Sequence, residues 1–175
     1  MIITKLAGGL GNQMFQYAAA RTISQHNSDK VLLDISFFEN QKLRDFDLAQ
    51  MNISSEIATE CQIADVAGKS RVLDKILRKM GLSQRPLSYY RERDRTVFDT
   101  QIYRYQDNIY LDGYWQNVDY FESIRDVLIS EFTLKNGLCD IASQVAKEII
   151  ERNGVSVHVR RGDYLTKKNR NIHGL

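Results

Sequence analysis

The sequence predicts an α/β fold, a parallel sheet covered by helices, and three observations predict it. Strand-like and helix-like segments alternate along the chain. The N-terminus reads strand, glycine loop, helix, and near the C-terminus a β-branched run ends in charged residues at a glycine turn. At 175 residues with 43% hydrophobic content, the chain can bury a substantial core, and its length suits one domain.

Ile2, Ile3 and Leu6 read as the first strand, followed by Gly8-Gly9-Leu10-Gly11-Asn12-Gln13. A helix follows, with Phe15, Ala18, Ala19, Thr22 and Ile23 on one stripe and Asn12 as the expected N-cap. Strand, glycine loop and helix together aim backbone N–H groups and a positive dipole end at an anion, and glycine lets the backbone approach a ligand closely. Val31 to Ile35 is the second strand. Asp34 falls near its end, where a dinucleotide fold keeps a ribose-binding acid, although Met14 stands where the third glycine of G-x-G-x-x-G belongs.

Arg44 to Ile53 reads as irregular or short extended structure around Phe46, Leu48 and Ile53. Helical spacing returns over Ser55–Val66 and again at Val72, Leu73, Ile76, Leu77 and Met80, with Gly81 as a stop. Pro86 marks a break. Tyr103, Tyr105, Tyr110 and Tyr114 are assigned to extended segments with a turn at Asp107-Asn108. Two helices close the series, near Asp119–Glu131 and Ile141–Asn153, the second ended by Gly154.

The final strand runs from Val155 into His158-Val159-Arg160-Arg161-Gly162-Asp163. Alternation puts His158 and Arg160 on one face and the valines on the other. Adjacent arginines at the end of a buried strand are costly unless an anion meets them, and the guanidinium fork suits phosphate oxygens. A structural Arg–Asp pair beside a turn is the competing reading.

Charge distribution is uneven. Net charge is only +2, too small to imply a nucleic-acid partner, yet Lys69 to Arg95 holds nine basic residues against three acids. That segment is a candidate face for an anionic membrane or acidic glycan, or a solvated surface. Cys61 and Cys139 lie far apart outside any metal spacing and are expected as reduced core residues. Neither a charged leader with an apolar run nor a membrane-length apolar stretch is visible, which predicts a cytoplasmic chain, at most peripheral to the inner membrane face. Asp45-Phe46-Asp47 matches a metal-binding Asp-x-Asp, but so short a match is expected by chance and the histidines lack ligand spacing, so no metal is predicted.

Three segments taken together resemble a family: Ile3 to Ala18, Tyr110-Leu111-Asp112-Gly113-Tyr114-Trp115-Gln116, and Val155 to Tyr164. They are similar to the α-1,2-fucosyltransferases of glycosyltransferase family 11, bacterial members in particular. The His-x-Arg-Arg-x-Asp element is shared with other fucosyltransferases. The Gly-Gly-Leu-Gly-Asn-Gln-Met-Phe-Gln-Tyr run points to family 11.

The resemblance implies a GT-B glycosyltransferase, two Rossmann-like domains facing across a cleft. Residues 1–154 would be the N-terminal Rossmann-like domain and 155–175 the start of an incomplete donor-binding domain, with only its first strand. It implies metal-independent, inverting transfer of L-fucose from GDP-L-fucose to the 2-hydroxyl of a galactose-containing glycan, with no cofactor beyond the donor. Arg160 would contact the diphosphate, and His158, Arg161 and Asp163 would line or brace that pocket. Gly9, Gly11 and Asn12 would form the opposing wall. In Asp112 to Gln116, aromatics beside a carboxylate and an amide suit a sugar ring, making Trp115 and Gln116 acceptor candidates and Asp112 a candidate base, while Trp115 also suits a core. The chain by itself is expected to be inactive. Two alternatives stand beside this: a dinucleotide-binding oxidoreductase built on the glycine loop and Asp34, and a non-catalytic product that binds a glycan or partner.

Overall fold

The computed structural model describes residues 1–39, 41–68, 79–81, 86–95, 97–105, 107–155 and 157. Its centre is a five-stranded sheet with every pairing parallel. The strands are β1 (Ile2–Lys5), β2 (Val31–Asp34), β3 (Glu56–Ile57), β4 (Tyr89–Arg91) and β5 (Ile109–Asp112), in the order β3-β2-β1-β5-β4. Helix α1 (Leu10–Asn27) joins β1 to β2. The order reverses between β1 and β5, so the carboxyl ends of these two strands flank the switch point where open α/β sheets bind ligands.

Both faces of the sheet are covered, as parallel sheets require. Ile2, Leu6, Val31, Leu33, Ile109, Leu111 and Tyr90 face one core, with α1 residues Tyr17, Ala18, Ala19 and Ile23. Alternation sends Ile3, Leu32 and Tyr110 to the other face, against Val66 and Ala67 of α3 (Glu60–Ala67). The expected stripe on α1 is the buried one, apart from the partly exposed Phe15.

Several local expectations are corrected. The helix predicted from Ser55 begins at Glu60, because residues 56–57 pair with β2 as β3 and Thr59 caps α3. Thr59 Oγ1 accepts the Gln62 N–H at 3.3 Å, and the Gln62 carboxamide oxygen accepts the Thr59 N–H at 2.8 Å, a reciprocal capping box. Around Leu48 the chain forms a 3-10 turn, Asp47–Gln50, with Leu48 fully buried. Tyr103 lies in another 3-10 helix (Thr100–Arg104), capped by Asp99, and Tyr105 follows it, so neither belongs to a strand. The helix expected over 119–131 is two 3-10 turns and then α4 (Arg125–Glu131), after short α2 (Ser36–Glu39) early in the chain. Cys61 and Cys139 are both exposed, not core. The helix expected at 72–80 lies almost wholly outside the described residues.

The chain divides into two compact units, Met1–Asn136 and Gly137–Leu175. The first holds the sheet. In the second, α5 (Asp140–Glu151) follows Cys139, and the Gly154 N–H donates to the Ile149 carbonyl at 2.7 Å where the helix ends. No helix among the described residues is long and apolar enough to cross a membrane.

Candidate active-site crevice

The candidate site lies at the loops that leave β1 and β5, on either side of the switch point. Helix α1 starts at Leu10 with Gly9 at the N-cap, so Asn12 sits inside the first turn and does not cap it. The constrained glycine is Gly8. Its φ is +81°, and a Cβ there would fall 2.4 Å from the Asn12 side-chain nitrogen. At Gly9 and Gly11 a Cβ would meet nothing within 4 Å, so both present bare backbone to open space.

Two buried glutamines, Gln13 and Gln16, hold these loops. The Gln13 carboxamide donates to the carbonyls of Gly8 (3.0 Å) and Asp45 (2.9 Å) and accepts the Leu48 N–H at 3.0 Å. Gln16 donates to the Gly113 carbonyl (3.1 Å) and accepts the Ala7 N–H (2.9 Å), joining the loop after β1 to the loop after β5. With no other source of partners inside the core, each carboxamide is satisfied only while these loops stay put. Sequence reasoning assigned neither glutamine a role. The legible signal was two polar residues beside the apolar stripe of α1.

Across the switch point, Gln116 donates to the Asn12 carboxamide oxygen at 2.8 Å, and Lys5 Nζ stands 3.6 Å from Asp112 Oδ1. The Tyr89 hydroxyl also donates to Asp112, and its ring stacks on Tyr110 at 5.2 Å. Glu92, just past β4, accepts the N–H groups of Tyr114 (2.7 Å) and Trp115 (3.0 Å) on its two oxygens. Trp115 is held there at φ +55°, a backbone region that bulky residues rarely adopt.

Of the residues named from the sequence, Asn12 and Gln116 are joined by a hydrogen bond and Asp112 is paired with Lys5 at the end of β5, while Gly9 lies in the loop after β1 and Gly11 is exposed on the first turn of α1. Trp115 is a correction. It is fully buried, its ring centroid 5.6 Å from Tyr120 and 6.2 Å from Tyr90, so it is a core residue and not an acceptor platform. Its indole nitrogen is buried with no hydrogen-bond partner. The ribose-binding reading of Asp34 also fails. This carboxylate is 3% exposed, with Oδ1 accepting the Ser36 N–H at 2.9 Å and Oδ2 accepting the Tyr110 hydroxyl. Burial first, then the Asp34 carboxylate, push the Tyr110 hydroxyl far above its ordinary 10.0. His158, Arg160, Arg161 and Asp163 lie outside the described residues.

The architecture is that of a Rossmann-like half, a parallel α/β sheet with a glycine loop after its first strand at the switch point, the place where open α/β sheets bind ligands. The family description narrows this to one group: the model of glycosyl transferase family 11 matches residues 1–174, and the chain belongs to that family. An alpha-1,2-colitosyltransferase of Escherichia coli is 31% identical, covering 100% of this chain and 59% of that protein. The O-antigen biosynthesis glycosyltransferase WbnK of Escherichia coli is 28% identical, covering 97% of this chain and 62% of its own length. The chain therefore spans about three-fifths of the curated relatives it matches. No solved structure matches it.

Proposed function

We propose that this chain is the N-terminal Rossmann-like part of a GT-B α-1,2-fucosyltransferase that transfers L-fucose from GDP-L-fucose to the 2-hydroxyl of a galactoside. The observation that supports the reading is the β1/β5 switch point, where the loop after β1 is tied to the loop after β5 by the Asn12–Gln116 and Gln16–Gly113 hydrogen bonds. In this reaction the galactose O2 attacks the anomeric carbon of fucose, the bond from that carbon to the diphosphate breaks, and the hydroxyl proton passes to a base. Asp112 is the base candidate, at the crevice end of β5 with Lys5 and Tyr89 orienting its carboxylate. Arg160 would meet the departing diphosphate, with His158, Arg161 and Asp163 bracing that pocket and Gly9, Gly11 and Asn12 opposite. With arginines offsetting the charge, the reaction needs no metal and no cofactor beyond the donor. Gln116 would contact the acceptor glycan.

A second reading, transfer of colitose, is supported by the name of the 31% identical relative. The test is a transfer assay of the complete enzyme on lactose, with nucleotide-linked fucose and nucleotide-linked colitose in parallel, with and without EDTA. Fucosyl transfer that persists in EDTA and is lost in Asp112→Asn supports the first reading. Turnover of the colitose donor alone would replace it with the second. Full activity in Asp112→Asn would remove Asp112 as the base.

A further inference from the structure

The edge of β4, which pairs with no strand but β5 among the described residues, carries two adjoining clefts of about 680 and 470 Å³ that the reaction above does not use. Tyr90 and Tyr105 line both. Arg91 and Arg93 line the larger, and Arg93 and Arg104 the smaller. Three other arginines of this unit have partners, Arg21 3.0 Å from Glu131, Arg125 3.7 Å from Asp126 and Arg95 4.2 Å from the Tyr114 ring centre, whereas the Arg44 side chain, away from the clefts, has none among the described residues. Among the described residues Arg91, Arg93 and Arg104 have no ion-pair partner within 4 Å. The one acid lining either cleft is Glu92, whose oxygens are already engaged by two backbone N–H groups.

We propose that this groove binds a phosphate group carried by the glycan acceptor, an inference that rests on the glycosyltransferase reading above. Arg93 shares the larger cleft with Arg91 and the smaller with Arg104, so like charges gather along this edge, and a bound anion reverses the sign of their interaction. A carboxylate supplies one negative charge, whereas a phosphate ester supplies about 1.5 to 2 at pH 7 and three oxygens for the guanidinium forks. The groove also adjoins the crevice: Arg91 is the registered neighbour of Asp112 across the β4–β5 pairing. Neighbouring strands lie about 4.8 Å apart, so a phosphate held here sits within a sugar's reach of a hydroxyl presented to Asp112. Charged residues on an edge strand also guard against strand addition, and that role alone would require no ligand.

The experiment titrates the purified full chain with inorganic pyrophosphate at physiological salt. Saturable binding is expected, weakened about tenfold by Arg93→Gln and by Arg104→Gln and unchanged by Arg125→Gln. In the transfer assay, a phosphorylated galactoside should show a KM raised about tenfold by Arg93→Gln, with the KM of neutral lactose unmoved. Failure to bind pyrophosphate, or binding indifferent to both glutamine changes, would leave the arginines as edge guards and overturn the site. GDP displacing pyrophosphate more tightly than the phosphorylated galactoside would assign the groove to the donor and overturn the acceptor assignment. Transfer to lactose, untouched by these variants and with no preference for the phosphorylated acceptor, would sink this proposal while sparing the transferase reading. Absence of any transfer by the complete enzyme would sink that reading and the acceptor assignment together, and the pyrophosphate titration would still judge the anion site.

Discussion

Glu92 offers the sharpest test of how the crevice is held. Its carboxylate accepts two successive backbone N–H groups, at 2.7 and 3.0 Å, and the second belongs to a tryptophan at φ +55°. Hydrogen bonds to a charged group contribute about 1.5–3 kcal/mol each when buried, and Glu92 is half-buried, so the lower end applies. Glu92→Ala should therefore cost about 2–3 kcal/mol, because both N–H groups lose their acceptor and the left-handed turn loses its restraint. For a chain of this size that corresponds to a Tm lower by roughly 6–9 °C. Glu92→Gln keeps one acceptor and should fall between. Trp115 is the chain's only tryptophan, so its emission reports on this loop without labelling. Urea unfolding followed by fluorescence is the assay, and the native-state emission of Glu92→Ala should shift to the red. A loss below about 0.5 kcal/mol with unchanged emission would show that the carboxylate does not hold the turn.

Gly113→Ala should cost about 1–3 kcal/mol by overpacking, since its Cβ would lie 2.5 Å from the Glu92 Cβ and 2.8 Å from the Trp115 ring; thermal melts check this, and a neutral result would refute the packing there. Tyr110→Phe removes the donor to a buried Asp34 oxygen and should destabilise by about 1–3 kcal/mol, measured by urea unfolding. Burial, foremost, raises the hydroxyl pKa values of Tyr17, Tyr90 and Tyr110 above 10.0, and that of Tyr103 to about 12. A raised folded-state value means stability that is fully present below pH 10 and lost as pH climbs towards the folded values, so Tm should fall steadily above about pH 10; a flat profile to pH 12 would contradict it. In the active enzyme, Arg160→Lys should lower kcat/KM at least about tenfold, because lysine keeps the charge but not the fork, and a change within twofold would remove Arg160 from the diphosphate.

What the sequence made legible follows from period and length. β1, β2 and α1 were readable because Ile2-Ile3 and Val31-Leu32-Leu33 are short β-branched or apolar stretches and a helix-spaced set including Ala18, Ala19, Thr22 and Ile23 is buried on α1. β4 was invisible: Tyr89-Tyr90-Arg91 is too short to show alternation, and its place is set by pairing with β5. Tyr103 and Tyr105 looked like strand residues by propensity, yet Asp99 caps a 3-10 helix there and Tyr103 donates to the Tyr120 carbonyl instead. At the candidate site, Gly9, Asn12, Asp112 and Gln116 were named because they fall in motif segments at the ends of β1 and β5. The glutamines that fix those loops carry no such mark, since burying a carboxamide is explained only by partners up to 97 positions away. Trp115 was misread for the related reason that a tryptophan beside a carboxylate suits a sugar and a core alike.

The two exposed thiols have a practical consequence. Cys61 stands on α3 in the first unit and Cys139 precedes α5 in the second, and they are the only cysteines in the chain. Maleimide chemistry can therefore place one dye or spin label on each unit of the unmutated protein, turning the separation of the two units into a measurable ruler. Titrating a donor nucleotide or a glycan against that ruler would record any hinge-like closure directly, in solution and without engineering the crevice.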